Sequence, residues 1–180
     1  MNSPKLDLSQ YRIDDQVVAN FVATGFGEYK DESGSSRGIS NAIDRKVLVH
    51  LRSLTQAVLV GGETARVEGY KADSRFATYV LTRKPDELLE GLNAVTATSD
   101  EDLSKSITQL VTNHGGLLIE AGPTLLKRMM KLALVDLLCL SVIEPKDDLT
   151  GLLKSLFDID TAQLVSSQKI ENTLLTIWKL

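Results

Sequence analysis

The chain has 180 residues, of which 43% are hydrophobic and 24% charged, with a formal net charge of −4. That is enough for one domain with a full core, and the acidic balance excludes a nucleic-acid surface, because basic groups such as Arg83-Lys84 and Lys127-Arg128 are too short to track a phosphate backbone. The one cysteine, Cys139, excludes a disulfide framework and a cysteine zinc site, and no apolar run approaches the roughly 18 residues of a membrane span. The first residues, Met1 to Asp15, are polar and lack the apolar centre of a signal peptide. The expectation is a cytoplasmic protein with no metal and no membrane or nucleic-acid partner.

Residues 1–16 read as an N-terminal arm and 17–180 as a single domain. Val17 to Ala23 is a buried strand carrying a polar Asn20, whose amide either bonds nearby backbone or faces a cleft. Residues 24–38 are polar and glycine-rich and read as a long loop, either a lid or an irregular segment. Ser40 or Asn41 caps a helix to about Leu54, with Asp44 in its first turn and Ile43, Val47, Leu48 and Leu51 as its apolar stripe. Arg52 complements the end of that helix, and His50 has no ligand-spaced partner.

Ala57 to Val60 is the next strand, followed by a short helical segment from Glu63. Thr78 to Leu81 is a further strand, and Pro85 opens a short turn or helix through Leu89. Asn93 to Thr98 reads as a short strand. Ser99 to Asp102 caps a helix to Asn113, closed by His114-Gly115-Gly116. Leu117 to Glu120 is a strand, and Pro123 starts a helix to about Leu134. Val135 to Val142 is a strand, Gly151 to Leu156 a loop or single helical turn, Leu164-Val165 a short run, and Glu171 to Trp178 the last strand. Strands alternate with helices and then give way to strand-rich sequence. This predicts an α/β fold with a mostly parallel sheet, flanking helices and an antiparallel C-terminal hairpin.

Two strand tips stand out. Val60 is followed by Gly61-Gly62-Glu63-Thr64, and Glu120 by Ala121-Gly122-Pro123-Thr124-Leu125. Glycine removes the Cβ that would keep a ligand from the backbone, and a helix start offers free N–H groups to phosphate. Two such tips predict one cleft at the carboxyl ends of neighbouring parallel strands, suited to a phosphate-bearing cofactor. The G-x-G-x-x-G pattern of a conventional dinucleotide site is absent. Arg83-Lys84, just past a strand end, is either a cationic site for a ribose 2′-phosphate or a solvated charge pair.

The order Ile39-Ser40-Asn41, Arg45, Leu51-Arg52, then Val58 to Thr64, then Leu118 to Leu125, then Leu134-Val135-Asp136 resembles the pyrimidine-reductase domain of riboflavin biosynthesis, which has a dihydrofolate-reductase-like fold. The resemblance spans residues 17–178. It implies a homodimeric, NADPH-dependent reductase that turns the ribosyl group of a ribosylaminopyrimidine 5′-phosphate into ribityl, or acts on a related pterin or pyrimidine. By position it implies that Gly61, Gly62, Thr64, Ala121, Gly122, Pro123, Thr124 and Leu125 hold NADPH, with Thr82 and Arg83 at its adenosine end. Asn20, Thr24, Ser40 and Arg66 would line the substrate side, and Glu120 would orient the substrate or else cap the following helix.

Thr24-Gly25-Phe26-Gly27 stands where the family carries Ser-Leu-Asp-Gly, so an aromatic ring replaces an acid expected near the substrate. No His-x-Glu with Pro-Cys-x-x-Cys occurs, so a zinc deaminase is not expected alongside the reductase. Two other readings follow from the same residues: a binding protein of this fold without turnover, and dihydrofolate reduction, for which Asp44 is the nearest acid on the first helix.

Overall fold

The computed structural model describes residues 5–88 and 90–180, so the start of the expected arm, residues 1–4, and the expected turn end at Leu89 lie outside the described residues. Apolar runs form strands β1 (Val17–Thr24), β2 (Ala57–Gly61), β3 (Ala77–Leu81), β4 (Asn93–Val95), β5 (Leu117–Glu120) and β6 (Leu137–Ile143), with β7 (Gln163–Ile170) and β8 (Thr173–Lys179) at the end. Between them lie helices α1 (Ala42–Ser53), α2 (Gly62–Val67), α3 (Asp100–His114), α4 (Pro123–Lys131) and α5 (Leu149–Phe157). The strands make one eight-stranded sheet in the order β4-β3-β2-β5-β1-β6-β8-β7. Every pairing from β4 to β6 is parallel, and β6, β8 and β7 pair antiparallel. The expected parallel sheet and C-terminal hairpin are both present.

The central strand β5 is buried along its whole length, as its continuous apolar run requires. Each face of the sheet has its own core. On one, α3, α4 and α5 cover Ala19, Phe21, Leu59, Ile119 and Leu140, with Leu103, Leu126 and Phe157 among the packed side chains. On the other, Ile43, Val47 and Leu51 of α1 cover Val18, Val58, Val60, Leu118 and Cys139. Burial pushes the Cys139 thiol up to about 12, so it behaves as a small hydrophobe.

The arm belongs to the α1 side, where Tyr11 and Ile13 are buried. Its docking depends on Gly116, whose φ of +138° is one that L side chains rarely adopt. A Cβ there would also collide with the Ile13 carbonyl.

Two C-terminal elements exceed expectation. Residues 149–157 form a nine-residue helix, because Leu149, Leu152, Leu153, Leu156 and Phe157 make a helical stripe and Asp148 caps its start through the Gly151 N–H. Residues 163–170 form a full edge strand, because β8 supplies a hydrogen-bonding partner along its length. Its polar, alternating sequence carries no buried-strand pattern, so only the pairing decides it. No helix among the described residues is long and apolar enough to cross a membrane.

Candidate active site

β2 and β5 are direct parallel neighbours, with Val60 opposite Glu120. Their tips, Gly61-Gly62 and Ala121-Gly122, therefore open side by side at the carboxyl edge of the sheet. Gly61 and Gly122 are the N-caps of α2 and α4, and neither helix start has a side-chain cap. The first-turn N–H groups of α4 are left for a ligand, apart from Pro123, which has none. A Cβ at Gly61 would lie 3.7 Å from Leu125 Cδ2 and 3.8 Å from Thr64 Oγ1, and one at Gly122 would lie 4.0 Å from the same hydroxyl. Thr64 thus stands between the tips, and the glycines leave open space rather than relieve a clash.

The tips form one wall of a cleft of about 1160 Å³. Asn20, Ser40, Gly61, Gly62, Thr64 and the run Glu120 to Leu125 all line it. Four of the expected residues do not. Thr24 is turned into its own loop, where its hydroxyl donates to Glu28 Oε2 at 3.1 Å and accepts from the Phe26 and Glu28 N–H groups. Arg66 is exposed, and its Nε donates to the Gly62 carbonyl at 3.2 Å. Thr82 adjoins the first tip, its Oγ1 3.4 Å from the position of a Gly62 Cβ, and Arg83 beyond it is exposed. Lys84 is paired with Glu87 at 2.7 Å, both largely in solvent.

Helix α1 supplies the opposite wall. Asn41 is its N-cap, accepting from the Ile43 and Asp44 N–H groups at 3.0 Å each. Ser40, just before that cap, and Asp44, Leu48 and Arg52 on the helix recur every four residues, so they share one face, and all line the cleft. The i, i+4 spacing was visible in the sequence. What hid it was that each polar member had a local explanation: a cap, a dipole partner, a C-terminal cation.

Arg52 reaches Glu120 with two hydrogen bonds, Nε to Oε1 at 2.8 Å and Nη2 to Oε2 at 2.5 Å. The Tyr70 hydroxyl donates to the same Oε2, and Arg52 Nη2 donates to the Tyr70 oxygen at 3.2 Å. The guanidinium lies 5.5 Å from the centroid of the Tyr70 ring and 5.9 Å from that of Phe76. Hydrogen bonding to Glu120 pushes the Arg52 pKa further up, and burial raises that of Tyr70. Both Glu120 oxygens are therefore engaged, and the carboxylate does not cap α4.

Asp44 differs. It is 3% exposed, and Ser40 Oγ donates to its Oδ2 at 2.6 Å. Its Oδ1 has no hydrogen-bond partner. Burial raises its pKa, with the Ser40 and Ser141 hydroxyls pulling the other way.

The loop expected over 24–38 is tied down at its far end. Glu68, at the end of α2, accepts from Ser35 Oγ at 3.0 Å, Ser36 N–H at 2.7 Å and Ser36 Oγ at 3.0 Å, and pairs with Arg37 at 3.3 Å. Asp31 organises the middle by accepting from the Ser33 and Ser35 N–H groups. Phe26, standing where the family pattern has an acid, is 72% exposed, with Lys146 Nζ 4.4 Å from its ring centroid. It is not part of the cleft lining.

No family model and no curated protein matches the sequence. Solved structures do match. A pyrimidine reductase-like protein from Corynebacterium diphtheriae aligns at TM-score 0.68 and 19% identity over 91% of each chain. The fold is that of the pyrimidine reductases. A Thermotoga maritima diaminohydroxyphosphoribosylaminopyrimidine deaminase/5-amino-6-(5-phosphoribosylamino)uracil reductase aligns at TM-score 0.68 and 17% identity, over 91% of this chain and 56% of that one. Dihydrofolate reductase from Enterococcus faecalis, in complex with NADP(H), aligns at TM-score 0.65 and 16% identity over 94% and 98%. Among the described residues no group of three or more His, Cys, Asp or Glu is placed to hold a metal ion.

Proposed function

We propose that the protein is an NADPH-dependent reductase whose substrate is a ribosylaminopyrimidine 5′-phosphate or a related pyrimidine or pterin. The observation that carries this reading is the juxtaposition of two glycine tips, on adjacent parallel strands, at the mouth of a large cleft. Open space at Gly61 and Gly122 and the uncapped start of α4 fit a pyrophosphate-bearing ligand. The matching dihydrofolate reductase was solved with NADP(H), and two matching structures are named as pyrimidine reductases or reductase-like.

In this reading Gly61, Gly62, Thr64 and the run Ala121 to Leu125 hold NADPH, with Thr82 and Arg83 toward its adenosine end. NADPH supplies the hydride, which for the ribosyl substrate goes to C1′. The chain supplies position and water exclusion. Glu120 acts as a positioning residue: it fixes Arg52 and Tyr70, both of which line the cleft. Asn20 and Ser40 face the substrate, whereas Thr24 and Arg66 act through the loop and helix they hold. The resemblance adds a homodimer, to be checked by sedimentation.

The test is direct. NADPH must raise the thermal stability of the protein, since a ligand bound only by the folded state stabilises it. Its absorbance must then fall when the ribosylaminopyrimidine phosphate is added. No stabilisation at millimolar NADPH overturns the cofactor assignment. Stabilisation without oxidation by that substrate or by dihydrofolate identifies a binding protein of this fold.

A further inference from the structure

The basic side chains of the cleft divide by the part of the fold that supplies them. Arg45 and Arg52 stand on α1, Lys30 and Arg37 on the loop before it, and Lys71 directly after Tyr70, the partner of Arg52. Among the described residues Arg128 is the one cation that lines the cleft from the other side. It belongs to α4, which packs with α3 on the face of the sheet opposite to α1.

Arg128 follows Thr124 by four residues, so the two share a face of α4, and both line the cleft. Thr124 is in the first turn, whose N–H groups suit a pyrophosphate. Arg128 stands one turn further along the axis, about 6 Å away. Its guanidinium is already oriented. Nε donates to Asp100 Oδ1 at 2.7 Å, and no other hydrogen bond of the guanidinium is formed among the described residues. Asp100 opens α3, where the helix dipole favours its charge whether or not Arg128 is present. Both side chains are partly in solvent, so the pair contributes little to stability. Its effect is to hold a planar fork with both Nη groups unengaged, and such a fork matches two oxygens of a phosphate monoester.

The cations that the sequence offers for a ribose 2′-phosphate stand elsewhere. Arg83 is exposed and outside the cleft lining, and Lys84 is paired with Glu87. We infer that Arg128 binds the ribose 2′-phosphate of the cofactor and so makes the protein discriminate NADPH from NADH. The inference rests on the reductase reading and names the residue that sets its cofactor preference. Glu63 supplies the opposing chemistry. It is exposed and lines the same mouth, and a carboxylate there would accept from a free 2′-hydroxyl and repel a phosphate. Its helix, α2, packs through Ala65 into the core on the α1 face, so Glu63 and Arg128 approach the cleft from opposite faces.

The experiment is calorimetric titration of NADPH and of NADH into the wild-type chain, Arg128→Gln, Arg128→Lys and Arg83→Gln. The wild type is expected to bind NADPH at least tenfold more tightly than NADH. Arg128→Gln should weaken NADPH at least tenfold and leave NADH within twofold, which also shows that the variant is folded. Arg128→Lys keeps the charge without the fork and should fall between. An unchanged preference in Arg128→Gln overturns the inference, as does equal weakening of both dinucleotides, which would place Arg128 at the pyrophosphate or in the fold. A preference abolished by Arg83→Gln alone overturns it, and so does a wild type that binds NADH as tightly as NADPH. In each of these cases the chain still binds a nicotinamide dinucleotide and the reductase reading stands. Binding of neither dinucleotide by the wild type sinks that reading and the inference with it.

Discussion

The Arg52 guanidinium holds the Glu120 carboxylate with two hydrogen bonds, 2.8 and 2.5 Å long, and Glu120 is 6% exposed. A buried pair of this kind is worth little against an apolar replacement, but breaking it from one side leaves an uncompensated charge. Arg52→Met is expected to destabilise the fold by about 3 kcal/mol, and the double variant Arg52→Met/Glu120→Leu by clearly less. Urea unfolding of the singles and the double measures this. A strictly additive double variant would show that the pair does not couple.

Glu120→Gln keeps the shape but weakens the grip on Arg52. If Glu120 positions the substrate wall, this variant lowers turnover and leaves NADPH affinity nearly unchanged. Steady-state kinetics and a separate NADPH titration check it. Equal loss of both would place Glu120 with the cofactor or with general stability.

Gly122 has φ −68° and ψ 165°, a conformation open to any residue, and its Cβ would meet nothing closer than Thr64 Oγ1 at 4.0 Å. Gly122→Ala is therefore expected to fold with an unchanged melting temperature. It should lower NADPH affinity by about tenfold, or ~1.4 kcal/mol, because the new methyl enters the space left for the ligand. Unchanged affinity would argue that no ligand approaches this backbone.

Asp44 carries a pH signature. Burial raises its folded pKa above the ordinary carboxylate value, so between those two values the folded chain holds a proton that the unfolded chain has lost. Stability then falls as pH rises through that window, and the cost persists above it. Asp44→Asn removes this contribution. Its stability should be flatter from mildly acidic to neutral pH and at least equal to wild type at neutrality. Denaturation at several pH values tests this, and a variant less stable at neutral pH would contradict it.

Glu68 ties the Ser35–Arg37 segment to the end of α2. Glu68→Ala should leave global stability nearly intact but open this segment, raising hydrogen exchange at the Ser36 amide about tenfold. An unchanged rate would mean that Asp31 and the packing of Tyr29 on Phe21, 5.7 Å between ring centroids, suffice to hold it.

Much of the fold was legible because its local signals agree. β2 and β5 read as apolar runs ended by glycine, since strands buried on both faces tolerate little else. The Ser99 cap and the left-handed Gly115 bound α3 as its sequence requires. The helical stripe of α5 was equally present, but two turns of leucines after a charged turn also read as a loop. Of β7 only the short run Leu164-Val165 was legible, because the rest of its sequence is polar and its pairing with β8 makes it a strand.

For the site, the sequence by itself determined the two glycine tips, since missing Cβ atoms and a proline-started helix are local chemistry. Only the tertiary structure decided that β2 and β5 are neighbours and that the tips open together. It also decided what the polar side chains face. Arg52 closes on a carboxylate 68 residues away, Asp44 is sealed against β6 with one oxygen unpaired, and Phe26 turns to Lys146 instead of the cleft. Spacing along a chain fixes which side of a helix a residue occupies. What that side meets depends on strands far away in sequence, and so do the charge state and free valence of each group.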